Sequence, residues 1–217
     1  MGKGYKLGSA LCVNAIIVVL EIVDLVISLT DQGMMSFTFY TQDSNYLAMA
    51  VSLMFCVYAV RELRGKSEVP NWIYSMRYIT VSCLMVTFFV VIFVLMPMME
   101  ENAFAMLYEG SMLYQHTLCP LLSAFSLFAF EAKNALPRAA LVKALIPTLT
   151  YALIAVTLNI FKIINGPYPF LIVYSQPVYM SALWCIIIMG IAGILALAVW
   201  SLYNFSWKKK QWIKKRL

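Results

Sequence analysis

The chain has 217 residues, of which 63% are hydrophobic and 12% are charged, and its mean hydropathy is +0.82. This composition excludes a soluble domain, which would leave a large apolar surface in contact with water. The formal net charge of +6 therefore has to be interpreted for a membrane protein.

Six apolar runs are long enough to cross the hydrocarbon layer of a bilayer, which takes about 20 helical residues. The third run is the clearest, because ITVSCLMVTFFVVIFVLM contains no charged residue. We predict an all-α integral membrane protein, a multi-pass bundle of six transmembrane helices that forms one domain over residues 1–217. The predicted spans are residues 8–30, 44–60, 76–97, 112–130, 142–163 and 178–204.

The basic residues predict the orientation of the bundle. Fifteen of the 16 Lys and Arg residues lie on one predicted side of the membrane. They precede the first run, follow the last run, or lie between the second and third runs or between the fourth and fifth. Arg77 is assigned to the connection between the second and third runs. Because basic loops stay in the cytoplasm, both termini are predicted to be cytoplasmic, in the plasma membrane if the source is bacterial. The positive charge is thereby explained by topology and by attraction to anionic membrane lipids, and no nucleic-acid partner is predicted.

Polar side chains form one stripe along the first predicted helix. Asn14, Glu21, Asp24 and Ser28 are spaced at i, i+7, i+10 and i+14. At 100° per residue this spacing confines them to a sector of about 80°. A charged side chain inside a bilayer costs about 3 kcal/mol on insertion scales, so such residues usually face the interior of a bundle. We therefore predict that this stripe faces the other helices.

The predicted topology brings polar residues of four helices to one depth in the outer half of the membrane. Glu21 and Asp24 lie about 20 and 24 Å along the first helix, at 1.5 Å per residue. The residues expected at a similar depth are Thr41, Asn45, His116, Asn159 and Lys162. Their convergence predicts a functional site.

The single histidine, His116, and the segment FTFYTQDSN supply the groups needed for acyl transfer. A histidine can act as general base toward a nearby hydroxyl, such as Thr41 or Ser44. The alternative for a lone histidine is a hydrogen-bonded core residue. Asp43 or Ser44 is also expected to cap the N-terminus of the second helix. Thr41 is not needed for that cap and is the first candidate nucleophile.

Three segments occur in order: FYTQDSNYLA before the second span, HTLCPLL in the fourth, and GPYPFL between the fifth and sixth. Together they resemble the androgen-induced, androgen-dependent family of membrane hydrolases and their bacterial relatives. The resemblance implies a six-helix intramembrane enzyme that hydrolyses fatty acid esters of hydroxy fatty acids. It also implies a threonine nucleophile at Thr41 and a catalytic histidine at His116. Animal members carry Asp or Asn three residues after the threonine, where this chain has Ser44, so Ser44 stays open as an alternative nucleophile.

The predicted mechanism assigns supporting roles to the other polar residues. Asn45 is the candidate oxyanion donor, with Ser44 and Asp43 beside it, and Asp24 or Glu21 is expected to orient the imidazole or the site. The residues expected near the substrate pocket are Asn159, Lys162 and Tyr168, the last in a segment that forms a re-entrant lid or a plain turn.

Lys162 and Cys119 each have two interpretations. Lys162 is either a counter-ion for Glu21 or Asp24, or a lysine whose side chain extends to the membrane surface. Cys119 lies one helical turn from His116, so a Cys–His pair is an alternative to the threonine mechanism.

No metal or organic cofactor is predicted, because one histidine and scattered acids make a poor zinc site and the five cysteines have no metal-ligand spacing. The expected partners are an acyl lipid substrate and membrane lipids. The alternative function belongs to another class: a proton-coupled small transporter or a lipid-binding membrane protein. In that case Glu21, Asp24 and His116 would carry protons or hold a headgroup.

Overall fold

The structure, a computed structural model, describes residues 3–99 and 103–216. Within these residues the chain is all-helical and has no β-strand, which confirms the predicted class. The main helices are α1 (Lys3–Gln32), α2 (Tyr40–Leu63), α3 (Asn71–Val90), α4 (Cys119–Ser126), α5 (Ala139–Ile160) and α6 (Val178–Lys214).

Short helices of other types extend or connect these six. The π-helical turns are Val91–Leu95 after α3, Leu113–Leu118 before α4 and Leu127–Glu131 after α4. The 3₁₀ turns are Gly33–Thr38, Met96–Met98, Ala103–Leu107 and Pro169–Leu171. With these extensions the described chain contains six helices long and apolar enough to cross a membrane, in agreement with the predicted number of spans.

Helix α3 lies at the centre of the bundle. It packs against α2, α4, α5 and α6, whereas α1 packs mainly against α2 and α4. In the most apolar stretch of the third span 61% of the residues are buried, compared with 22–39% in the other five spans. The outer helices leave large apolar side chains such as Val26, Leu153 and Ile194 exposed. These surfaces suit contact with lipid tails, which are as apolar as leucine.

The two ends of the bundle carry different residues. One end, which we call the basic end, holds the start of α1, the end of α6 and the connections after α2 and α4. Lys6, Glu62, Lys133 and Lys210 line one cavity there, so the start of α1 and the end of α6 lie together. The opposite end, which we call the site end, holds the connections after α1, α3 and α5. The cytoplasmic location of the basic end stays a prediction from the sequence.

Arg77 corrects one detail of the sequence interpretation. It was counted with the loop bases, but it lies inside α3 and is 0% exposed. Its Nε and Nη2 donate to Glu131 at 3.0 and 3.2 Å, and its Nη1 donates to Ser52 at 2.9 Å. Glu131 also accepts hydrogen bonds from Asn14 at 2.9 Å and Ser126 at 2.6 Å. The Arg77–Glu131 ion pair can be buried because each charged group lies next to the opposite charge and forms further hydrogen bonds.

All six spans differ from their predicted bounds at one end or both, and two of these differences affect the interpretation. Helix α2 begins at Tyr40 rather than at residue 44, and Phe39 precedes it without a side-chain cap. Asp43 and Ser44 lie inside the helix, so the prediction that one of them caps it is wrong. Helix α6 has 37 residues, which span about 55 Å at 1.5 Å per residue. It therefore continues past residue 204 and beyond a hydrocarbon layer of about 30 Å.

Candidate functional site

A cavity of about 240 Å³, which we call the site cavity, lies at the site end of the bundle. Thr41 and His116 both line it, with Gln42 and Gln115 next to them and Tyr168 from the loop after α5. Most of the remaining wall is apolar: Phe39, Leu95, Met98, Met99, Met106, Met112, Pro167 and Pro169. The cavity thus combines a few polar groups with a wall that suits an acyl chain.

Thr41 lies in the first turn of α2 and is 7% exposed. Its backbone N–H donates to the hydroxyl oxygen of Tyr168 at 3.2 Å, and the hydroxyl groups of the two residues adjoin. An N–H group in the first turn of a helix has no intrahelical acceptor, so an oxygen from outside satisfies it. The tyrosine thereby holds the loop after α5 against the start of α2.

His116 lies in the π-helical turn before α4 and is 5% exposed. Its Nδ1 atom is 2.6 Å from the carbonyl oxygen of Met106. The neighbouring Thr117 hydroxyl donates to the carbonyl oxygen of Leu107 at 2.8 Å, so two adjacent points hold the same segment. With Nδ1 engaged by a carbonyl, Nε2 is the ring nitrogen left for other partners. Single π-helical turns of this kind are frequent at functional sites.

A hydrogen-bonded network connects α1, α2 and this π-helical turn. Gln115 donates from Nε2 to Asp24 Oδ1 at 2.8 Å and to Ser28 Oγ at 3.2 Å. Gln42 Nε2 donates to the same Ser28 oxygen at 2.7 Å. Asp24 is therefore hydrogen-bonded to the residue before His116, while a backbone carbonyl orients the imidazole. Of the two predicted roles, orienting the imidazole or orienting the site, the contacts of Asp24 fit the second.

Asn45 joins α2 to the π-helical turn. Its Nδ2 donates to the carbonyl oxygen of Thr41 at 2.6 Å and to that of Gln115 at 3.2 Å. These two bonds use both amide protons of the side chain. As arranged, Asn45 fixes the distance between the two elements that carry Thr41 and His116, and it directs no N–H group toward a substrate.

Glu21 and Cys119 lie outside the site cavity. Both are 0% exposed, and they adjoin each other. Neither carboxyl oxygen of Glu21 has a hydrogen-bond partner among the described residues. The structure thus places Cys119 beside Glu21 rather than with His116 at the cavity. The predicted inward-facing stripe of α1 is confirmed, since all four members are 0% exposed: Asn14, Glu21, Asp24 and Ser28.

Asp43 and Ser44 line a different cavity, of about 320 Å³, formed mainly by α2 and α5. Asp43 follows Thr41 by two residues, which turns its side chain by about 200° around the helix axis. The Ser44 hydroxyl lies 2.8 Å from the hydroxyl of Thr87 and donates to the carbonyl oxygen of Thr41 at 3.1 Å. The structure therefore brings Thr41, and not Ser44, to the cavity that contains His116.

Thr41 and Tyr168 also line a second, apolar cavity of about 50 Å³ among α3, α5 and α6. Phe170 and Leu171 form part of its wall, and their other side faces a groove of about 370 Å³ between α5 and α6. This pair of side chains therefore separates Thr41 from a groove on the lateral surface of the bundle.

The shape of the loop after α5 depends on two residues. Asn159 is 2% exposed, accepts a hydrogen bond from the backbone of Val173 at 3.1 Å and donates to the carbonyl oxygen of Ile164 at 3.3 Å. A Cβ atom at Gly166 would lie 2.7 Å from the backbone carbonyl of Leu171. Asn159 thus holds the loop together instead of lining the site cavity, and only glycine fits at position 166.

Lys162 does not act as a counter-ion. It is exposed, and its ammonium group lies 4.9 Å from the centre of the Tyr174 ring. Glu21 and Asp24 are 0% exposed, so the predicted pairing with either acid is wrong. The alternative, a lysine at the protein surface, agrees with the structure.

The sequence interpretation did not select Gln42, Gln115 or the carbonyl of Met106. The two glutamines are chain neighbours of Thr41 and His116, and that adjacency is the signal that could have identified them. A backbone carbonyl has no side-chain signal at all, so the partner of Nδ1 could be found only in the structure.

No group of three or more His, Cys, Asp or Glu side chains in residues 3–99 and 103–216 is placed to hold a metal ion. Comparison of the chain with family models, curated proteins and solved structures finds no match. The family resemblance therefore rests on the three sequence segments alone.

Proposed function

We propose that this chain is an intramembrane hydrolase that cleaves an ester bond of an acyl lipid, such as a fatty acid ester of a hydroxy fatty acid. Thr41 is the nucleophile and His116 is the general base. The observation that carries the proposal is that these two residues line one cavity of about 240 Å³ with a mostly apolar wall. A hydroxyl and an imidazole in such a place are the minimum set for acyl transfer.

The contact between His116 and Met106 supports the role of the imidazole. A carbonyl oxygen can only accept, so we assign the ring proton to Nδ1, which leaves the Nε2 lone pair to take the proton of the Thr41 hydroxyl. In serine hydrolases a buried carboxylate holds Nδ1 in this way and stabilises the imidazolium. Here the carbonyl fixes the tautomer without supplying a full negative charge.

Tyr168 is our candidate for the group that stabilises the oxyanion. Its oxygen accepts the Thr41 N–H at 3.2 Å, which leaves its own proton available beside the reacting hydroxyl. Burial raises the pKa of Tyr168 to about 12, so the side chain stays a neutral donor. A donor preorganised at the position where negative charge develops is commonly the largest single contribution to such catalysis.

The two cavities that Thr41 lines suggest how the protein binds a substrate with a long hydrocarbon chain, here called an arm, on each side of its ester bond. The ester carbonyl lies at Thr41, one arm extends along the methionine-rich wall of the site cavity, and the other enters the apolar cavity beside Phe170. The apolar cavity of about 50 Å³ is smaller than an acyl chain, so Phe170 and Leu171 must move toward the lateral groove when substrate binds.

The reaction has two steps. The Thr41 oxygen forms a bond to the ester carbonyl carbon, His116 takes the hydroxyl proton and returns it to the leaving alkoxide, and the hydroxy fatty acid departs. A water molecule, deprotonated by the same imidazole, then attacks the acyl carbonyl carbon. The bond from this carbon to the Thr41 oxygen breaks, the imidazolium returns its proton to that oxygen, and the fatty acid is released. Gln42 is our candidate to hold this water, because it lines the cavity and its buried Oε1 lacks a hydrogen-bond partner in the described chain.

A fluorophosphonate probe tests the nucleophile directly. The purified protein should be labelled at Thr41, and Thr41→Ala should abolish both labelling and hydrolysis of a fatty acid ester, by at least about 10³-fold. Ser44→Ala and Cys119→Ala are matched controls that should retain labelling and hydrolysis. Activity that survives Thr41→Ala but disappears in Ser44→Ala would move the nucleophile to Ser44, and loss only in Cys119→Ala would indicate a thiol mechanism.

One observation favours the second candidate function, a proton-coupled carrier. Among the described residues, neither oxygen of the buried Glu21 carboxyl, which adjoins the Cys119 thiol, forms a hydrogen bond, and Asp24 Oδ2 forms none either. Buried membrane acids of this kind are typical of proton carriers. Proton uptake into liposomes that contain the protein, and its loss in Glu21→Gln, would support the carrier. Ester hydrolysis without any proton flux would exclude it.

A further inference from the structure

The basic end contains a cavity of about 240 Å³ that is separate from the cavities at Thr41 and has no role in the proposed hydrolysis. Its lining includes three lysines, Lys6 on α1, Lys133 after α4 and Lys210 on α6, and two glutamates, Glu62 and Glu131. Apolar side chains, among them Leu7, Ala10, Phe55 and Phe130, form much of the rest. The cavity therefore combines a net positive charge with apolar surface.

The carboxylates at this cavity already have basic partners. Glu131 forms the buried ion pair with Arg77 at 3.0 Å. Glu62 lies 3.8 Å from Lys133, which is also 2.9 Å from Glu68. Glu131 also attracts the charge of Lys210, but it forms no ion pair or hydrogen bond with that lysine, and its carboxylate is already engaged by Arg77.

Lys6 and Lys210 have no ion-pair partner in the part of the chain that the structure describes. The Nζ atom of Lys210 is buried and makes no hydrogen bond there. The two lysines are close enough for their charges to repel each other. Neither ammonium group forms an ion pair with a described residue, so together they leave up to six N–H donors for an anion with several oxygen acceptors.

We propose that this cavity binds a phosphate group, held between Lys6 and Lys210. Its volume of about 240 Å³ is several times the roughly 30 Å³ that one water molecule occupies in the liquid. A phosphate and a few attached carbons fit that volume, and the apolar side chains of the lining suit the carbons. Basic pockets between transmembrane helices bind phospholipid headgroups in this way. The phosphate can come from an anionic phospholipid or from a free phosphate ester, since the two lysines recognise the same oxygens.

Thermal unfolding of the delipidated protein in a neutral detergent tests the proposal. Dioleoylphosphatidylglycerol should raise Tm in a concentration-dependent manner, and diacylglycerol with the same acyl chains should not. Glycerol 3-phosphate separates the two sources: stabilisation by the lipid alone assigns a phospholipid, and stabilisation by both assigns a free phosphate ester. If none of these ligands raises Tm, or if diacylglycerol is as effective as phosphatidylglycerol, the proposal is wrong.

Variants of the two lysines locate the site. Lys6→Gln and Lys210→Gln should each weaken the apparent affinity for phosphatidylglycerol about fivefold, as expected for one basic residue near a membrane surface. Lys210→Arg keeps the charge and should retain most of the affinity, and the exposed Lys208→Gln on the same helix should change it less than twofold. If Lys210→Gln does not fold, the affinity of Lys6→Gln for phosphatidylglycerol tests the site by itself. Parent-like affinity in Lys6→Gln, or an equal loss in Lys208→Gln, would overturn the assignment.

Discussion

The Nδ1 atom of His116 lies 2.6 Å from the carbonyl oxygen of Met106, in a turn that precedes it by ten residues. This contact makes the connection after α3 part of the candidate site, although it is made by a backbone carbonyl and not by a side chain. The orientation of the imidazole therefore depends on the position of a backbone segment, which Thr117 also holds through Leu107 at 2.8 Å.

Replacement of His116 by alanine should lower kcat/KM for ester hydrolysis by about 10²- to 10⁴-fold, the usual contribution of a general base. The double variant with Thr41→Ala should be no worse than Thr41→Ala alone, because the two residues act as a unit. Met112→Leu changes an apolar residue of the same cavity wall and is the control. Additive losses in the double variant would show that His116 does not act through Thr41.

Tyr168→Phe should lower kcat by roughly 10²-fold and leave KM nearly unchanged, because a lost oxyanion donor affects only the transition state. The ring would keep its packing on Phe39 and Phe170, at centroid distances of 6.0 and 5.3 Å. Tyr174→Phe is the matched control, since this exposed tyrosine of the same loop donates only to Ile160 at 2.7 Å. Equal kcat values for the two variants would remove Tyr168 from the mechanism.

Gly166→Ala should displace the loop that carries Tyr168, since the new Cβ would lie 2.7 Å from the backbone of Leu171. We expect a loss of hydrolysis of at least tenfold while the helical content measured by circular dichroism is retained, because the strain is confined to one loop. Gly190→Ala has nothing within 4 Å of the new Cβ and should behave like the parent. A fully active Gly166→Ala variant would show that the loop does not position the site.

Arg77→Met should destabilise the protein by about 3–5 kcal/mol, because it leaves the carboxylate of Glu131 buried without its partner. The double variant Arg77→Met with Glu131→Gln should recover part of this loss, since no buried charge then remains. Lys133→Met removes a partly exposed ion pair and should cost less than about 1 kcal/mol. Denaturant unfolding in detergent micelles measures all three, and a double variant less stable than Arg77→Met would contradict this account.

The predicted orientation can be measured by labelling intact cells with a membrane-impermeant maleimide, after the native cysteines have been replaced. Glu109→Cys, in the connection at the site end, should be labelled from outside, and Lys215→Cys at the basic end should not, because basic segments remain in the cytoplasm. The reverse pattern would invert the bundle. Labelling of both positions would place the two ends on the same side of the membrane and contradict the six-span topology.

The number of helices and the inward face of α1 were accessible from the sequence because both depend on local patterns. A run of about 20 apolar residues forms a helix in a membrane, since a helix is the structure in which a single segment satisfies its own backbone hydrogen bonds. The four polar residues of α1 share one face because the helical repeat places them there, and all four are buried.

The partner of each polar residue was decided by the tertiary structure. The sequence assigns Arg77 to a loop, whereas in the structure it forms a buried ion pair at 3.0 Å with Glu131, which lies 54 residues later in the chain. Asp43 and Ser44 looked like helix caps, but α2 begins before them and turns both away from the site cavity. Thr41 and His116 are 75 positions apart in the printed numbering, and no local pattern predicts that they share a cavity. Contacts of this kind depend on how the helices pack and on which backbone carbonyl lies within hydrogen-bonding distance of a side chain in a π-helical turn. Both are properties of the assembled bundle and not of any one segment.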